Sequence, residues 1–122
     1  MNNHLAIPVK DLEESKKFYE RLGFEVFNQW EKPKQELKAL WMKDKSGYKI
    51  ELIYHPTNQN LEFPKITEVQ HLGIVVTNPE EKLEELKKVG VKIIVPITKG
   101  VTVKQFAFVK DPNGFSIELV EY

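Results

Sequence analysis

Apolar and polar residues alternate over short stretches of the chain, and between them recur at helical spacing. In residues 4–9, Leu5, Ile7 and Val9 fall on one side of a strand and His4, Ala6 and Pro8 on the other. Leu12, Phe18, Tyr19 and Leu22 then form a helical stripe. Asp11 stands at the N-cap, with Glu14 three residues on as in a capping box, and Gly23 stands at the C-terminal end. Strands are predicted near 24–30, 36–43 and 48–54, the last two joined by the turn Lys45-Ser46-Gly47. The same order returns from residue 71. It has a strand at 71–76, a helix from Asn78 and Pro79 to Gly90 with Leu83, Leu86 and Val89 on one side, and strands near 91–97, 103–110 and 115–121. The turn Pro112-Asn113-Gly114 matches the earlier one.

The two halves align at an offset of 67 residues with fourteen identities over residues 1–55. Average residue frequencies would give about three or four. The identities include His4 with His71, Gly23 with Gly90, Lys43-Asp44 with Lys110-Asp111, and Ile50-Glu51-Leu52 with Ile117-Glu118-Leu119. The polar stretch PTNQNLEFPKITEVQ between the copies reads as a linker. The expected fold is α+β: a single domain over 1–122, built from module 1 (1–55), linker (56–70) and module 2 (71–122), each module βαβββ.

Each helix needs an apolar sheet face to pack on, and strand alternation assigns that face to the Leu, Ile and Val residues. His4 and Glu51, and likewise His71 and Glu118, then point to the helix-free face of their module. Ionisable side chains are rarely needed for packing, so their recurrence at matching positions points to shared chemistry. If the two sheets form a cup, two imidazoles and two carboxylates converge. That set suits a divalent ion such as zinc, nickel, cobalt, manganese or iron(II), with positions left open for substrate or water. His55, just past a strand end, reads as a loop residue, and Trp30 and Trp41 as packing residues or pocket walls.

Composition narrows the classes. The 122 residues are 41% hydrophobic and 30% charged, which is globular. Eighteen basic residues balance eighteen acidic ones, which argues against a nucleic-acid partner recruited by a general positive field. No apolar run reaches membrane-spanning length, and no secretory signal is visible, so neither a membrane partner nor export is expected. There is no cysteine, which removes thiolate ligands and nucleophiles and fits a cytoplasmic location.

The segments HLAIPVKDLEESKKFYERLGF and KGVTVKQFAFVKDPNGFSIELVEY resemble the vicinal oxygen chelate superfamily, above all its bacterial glyoxalase I branch. The resemblance spans essentially the whole chain. It implies that His4, Glu51, His71 and Glu118 occupy four metal-ligand positions, nickel or zinc being the first candidates. It also implies a glyoxalase-type lyase that turns the hemithioacetal of methylglyoxal and a thiol into a 2-hydroxyacyl thioester through an enediolate. Glu118 would be the base and Glu51 its partner. The other activities it admits are an acyl-coenzyme A epimerase, an extradiol dioxygenase, or a binding protein that sequesters an antibiotic without catalysis. A small-molecule substrate and a homodimer are expected, the latter also because each half presents sheet edges. Two departures bear on the substrate. Pro8 stands where the branch has an arginine that holds glutathione, and His55 where it has an asparagine.

Overall fold

The computed structural model describes residues 3–65, 67 and 69–122. Met1 and Asn2 of module 1, and Ile66 and Glu68 of the predicted linker, lie outside the described residues. The chain divides into two compact units, Met1–Leu61 and Glu62–Tyr122. Unit 1 runs β1 (His4–Val9), α1 (Leu12–Arg21), β2 (Glu25–Lys32), β3 (Leu37–Lys43) and β4 (Lys49–Tyr54). Unit 2 runs β5 (Leu72–Val75), α2 (Pro79–Lys88), β6 (Ile93–Lys99), β7 (Gln105–Lys110) and β8 (Ser116–Glu121). Each unit is therefore a four-stranded sheet and a helix, in the orders β1-β4-β3-β2 and β5-β8-β7-β6. The first strand pairs parallel with the last, and the other pairings are antiparallel.

The helices start where the caps predict. Asp11 accepts from the Glu14 N–H at 2.9 Å and Asn78 from the Glu81 N–H at 3.1 Å. Phe18 and Tyr19 of α1 are buried, and α1 packs on β4, β3 and β2. Beneath it lie Ile7, Val9, Met42, Ile50 and Leu52, all essentially inaccessible. Leu83 and Leu86 of α2 sit over unit 2 in the same way, where Leu72, Ile74, Ile117 and Leu119 are buried. Burial of this kind contributes about 1.5–3 kcal/mol per large side chain.

The repeated aspartates build turns. Asp111, buried, accepts from the N–H groups of Asn113 and Phe115 at 2.9 and 2.8 Å and from the Asn113 side chain at 3.0 Å. Asp44 accepts from the N–H groups of Ser46 and Tyr48 at 3.0 and 2.9 Å.

Several element ends differ from expectation. The strand expected at 71–76 is only Leu72–Val75, so His71 lies one residue before it. The strand expected at 36–43 starts at Leu37, because Glu36 adopts a left-handed conformation at φ 57°. The strand expected at 103–110 starts at Gln105. Residues 101–104 bend instead, with the Gly100 N–H donating to Lys104 O at 3.2 Å. A Cβ on Gly100 would collide with the Val103 carbonyl oxygen, so only glycine permits that bend. In the stretch expected as linker, Pro56–Asn60 forms a 3-10 helix. Asn58 ties it down by donating to Val9 O and Ile53 O at 2.9 and 3.0 Å.

Candidate metal centre

The parallel pairing of β1 with β4 sets His4 opposite Lys49 and Ala6 opposite Glu51. Paired residues share a face, so His4 and Glu51 both lie on the sheet face away from α1. His4 Nε2 is 3.7 Å from Glu51 Oε1. In unit 2, Gly73 pairs with Glu118, and His71 Nε2 is 3.5 Å from Glu118 Oε1. The structure thus brings each predicted histidine to its own glutamate. Among the described residues, no three histidine, aspartate or glutamate side chains gather into a metal-holding group within either unit.

These separations have a chemical reading. Two donors about 2.1 Å from one ion and about 90–110° apart lie about 3.0–3.4 Å from each other. Both pairs fall within a few tenths of an ångström of that range and are longer than an ordinary hydrogen bond. His71 is also oriented from behind. Its Nδ1 lies 3.2 Å from the Thr67 carbonyl, which can only accept, so Nδ1 carries a proton and Nε2 is the atom turned toward Glu118. A backbone carbonyl on the far nitrogen is how metal-bound imidazoles are commonly held. The donor set, neutral imidazole and carboxylate, fits a divalent ion.

Three features escaped the sequence reading. The Trp30 indole donates to Glu51 Oε2 at 2.8 Å, so one carboxylate oxygen is held while the other faces His4. The Trp41 ring stands edge-on to His4 at 4.6 Å, and Phe108 stands edge-on to His71 at 5.1 Å. The offset of 67 pairs Trp41 with Phe108, so an aromatic at both positions was the available signal. Trp30 pairs with Ile97 at that offset, which hid its role. The glutamates are therefore not equivalent. Glu51 is 12% exposed and hydrogen-bonded to Trp30, whereas Glu118 is 22% exposed and lies 3.5 Å from His71. His55 caps the 3-10 helix, its Nδ1 accepting from the Thr57 N–H at 3.1 Å.

The sheets, helices and their order define an α+β protein of paired βαβββ units. Residues 2–119 match the model of the Glyoxalase/Bleomycin resistance protein/Dioxygenase superfamily, and the chain belongs to that family. It is 30% identical to the uncharacterized protein YwkD of Bacillus subtilis, over 98% of this chain and 94% of that one. It is likewise 30% identical to lactoylglutathione lyase of Escherichia coli O157:H7, over 97% and 90%. The structure of a trypanothione-dependent glyoxalase I from Leishmania major superposes with a TM-score of 0.80 at 30% identity, over 97% and 84%. Among the described residues, no helix is long and apolar enough to cross a membrane.

Proposed function

We propose that the chain is a metal-dependent lyase of the glyoxalase I type, in which the two units act as one domain over 1–122. His4 and Glu51 from one repeat, with His71 and Glu118 from the other, would hold one divalent ion, nickel or zinc first and cobalt, manganese or iron next. The observation that carries this reading is the pair of matched His–Glu contacts at 3.7 and 3.5 Å, each on the helix-free face of its sheet. The relatives named lactoylglutathione lyase support the reaction class.

When bound, the ion offsets the negative charge that develops on the two vicinal oxygens of a 2-oxoaldehyde hemithioacetal. Glu118 is the base. It takes the proton from the hemithioacetal carbon onto a carboxylate oxygen and returns it to the neighbouring carbon, while the hydroxyl proton passes from the first oxygen to the second, leaving a 2-hydroxyacyl thioester. Its greater exposure and the absence of an indole donor favour it over Glu51, whose Oε2 is held by Trp30. Pro8 offers no charge and no donor, so a glutathione carboxylate finds no anchor there.

The test is metal analysis of protein purified without added metal, followed by titration of the metal-free form. The expected result is one ion per four-ligand set, lost in His4→Ala and in His71→Ala alike. Proton exchange at the hemithioacetal carbon should vanish in Glu118→Gln. A His71→Ala protein that keeps full metal content would refute the shared site.

A further inference from the structure

A pocket of about 330 Å³ opens beside His4, walled by Phe27, Asn28, Trp41 and Lys49, all in unit 1. Consecutive strand residues point to opposite faces, yet Phe27 and Asn28 line the same pocket. The cause is a bulge. Val26 pairs with Met42 and Asn28 with Trp41, leaving Phe27 without a partner on β3. The displaced Phe27 ring stands 6.1 Å from that of Trp41, which in turn abuts His4.

Charge at this pocket is unbalanced. Lys49 lies between His4 on β1 and Lys43 on β3. The Lys43 and Lys49 ammonium groups sit 5.1 and 5.6 Å from the centre of the Phe27 ring. Among the described residues neither has a carboxylate within 4.0 Å, although Glu25 pairs with Lys43 from β2. Like charges directly opposed across antiparallel strands are destabilising. The second repeat shows the neutral alternative: Lys110 opposes Ser116 and donates to its hydroxyl at 2.8 Å. Ser116 is the counterpart of Lys49, and Ile94 of Phe27. The fold therefore does not require a cation here. The first repeat carries one against an aromatic wall, beside a proposed metal ligand.

We infer that this pocket is the subsite for a carboxylate that the substrate carries on a short apolar arm. The Lys49 ammonium pairs with the carboxylate, the Asn28 amide supplies a second donor, and the arm packs along the wall that Phe27 and Trp41 form together. Of the two ammonium groups near Phe27, only that of Lys49 lines the pocket among the described residues, which matches a monoanion rather than a phosphate. The inference rests on the metal-centre reading only in placing the reacting end of that substrate near His4.

The experiment uses metal-free protein and the probe 3-phenylpropanoate, followed by ¹H–¹⁵N NMR titration. The Trp41 indole N–H and the Asn28 side-chain amide should shift. The acid should bind about tenfold or more tightly than its amide, 3-phenylpropanamide. Lys49→Met should abolish that preference and leave the affinity for the amide unchanged. Equal binding of acid and amide, a preference that survives in Lys49→Met, shifts confined to unit 2, or tighter binding of a phosphate ester on the same arm would each overturn the assignment. Metal titration of wild type and Lys49→Met separates the two readings. Failure to bind metal in both counts against the metal centre alone, and unchanged metal binding with no acid preference counts against the subsite alone.

Discussion

Replacing Trp30 with phenylalanine removes a single hydrogen bond and keeps most of the ring. The bond is 2.8 Å long and runs from a neutral N–H to a carboxylate. Hydrogen bonds to charged groups contribute about 1.5–3 kcal/mol. Glu51 is 12% exposed, so a water can reach Oε2 and recover part of this. A net loss of about 1–2 kcal/mol, or about 4–10 °C in Tm, is expected for the metal-free protein. The same bond orients a proposed metal ligand, and loss of such an outer partner typically weakens metal binding by about 10–100-fold. The assay is competition against a chromogenic chelator, with thermal melts run with and without saturating metal. Metal should stabilise Trp30→Phe less than wild type, by about 1.4 kcal/mol for each tenfold loss in affinity. In a Glu51→Gln background the metal-dependent part of the Trp30→Phe effect should collapse, because the two act as one unit. A Trp30→Phe protein with a lowered Tm but wild-type metal affinity would show that Trp30 only packs.

Asp111→Ala should lower stability by about 3 kcal/mol, because it strands two buried backbone N–H groups, while Asp44→Ala should cost about 1 kcal/mol because water reaches its turn; urea denaturation checks both. Pro8→Arg should raise kcat/KM for the glutathione hemithioacetal of methylglyoxal by about tenfold or more, while wild type prefers adducts of smaller thiols. Asn58→Ala should speed proteolysis within 56–60, because two strand-end carbonyls lose their donor. Sedimentation should give twice the 14.3 kDa chain mass at micromolar concentration.

The parts of the fold legible in the sequence were those governed by local rules. Asp11 and Asn78 cap helices because a short polar side chain before an apolar stripe has few other uses. The strand faces followed from alternation, so the facing of His4 and Glu51, and of His71 and Glu118, could be foreseen. Strand ends were not legible, because they depend on backbone contacts such as the approach of Gly100 to Val103. Phe27 escaped because a bulge breaks the alternation on which every facing argument relied. Trp30 was read as a packing residue or a pocket wall, and nothing in its spacing showed that Glu51 would lie across two strands from it.

The repeat also sorts residues by what holds them in place. Asp44 and Asp111 recur because both turns need a side-chain acceptor, which is a structural cause. His4 with His71 and Glu51 with Glu118 recur where no turn, cap or core demands them, which is what a shared chemical task would leave. The positions that differ between copies are informative in a third way. Trp30 against Ile97, Phe27 against Ile94 and Lys49 against Ser116 all cluster around the His4–Glu51 pair. A symmetric ligand set can hold an ion, but an unsymmetrical substrate needs one side to differ from the other. On the proposed reading, the held carboxylate of Glu51 and the cationic pocket beside His4 would supply that difference on the first repeat and would leave Glu118 on the second to move the proton.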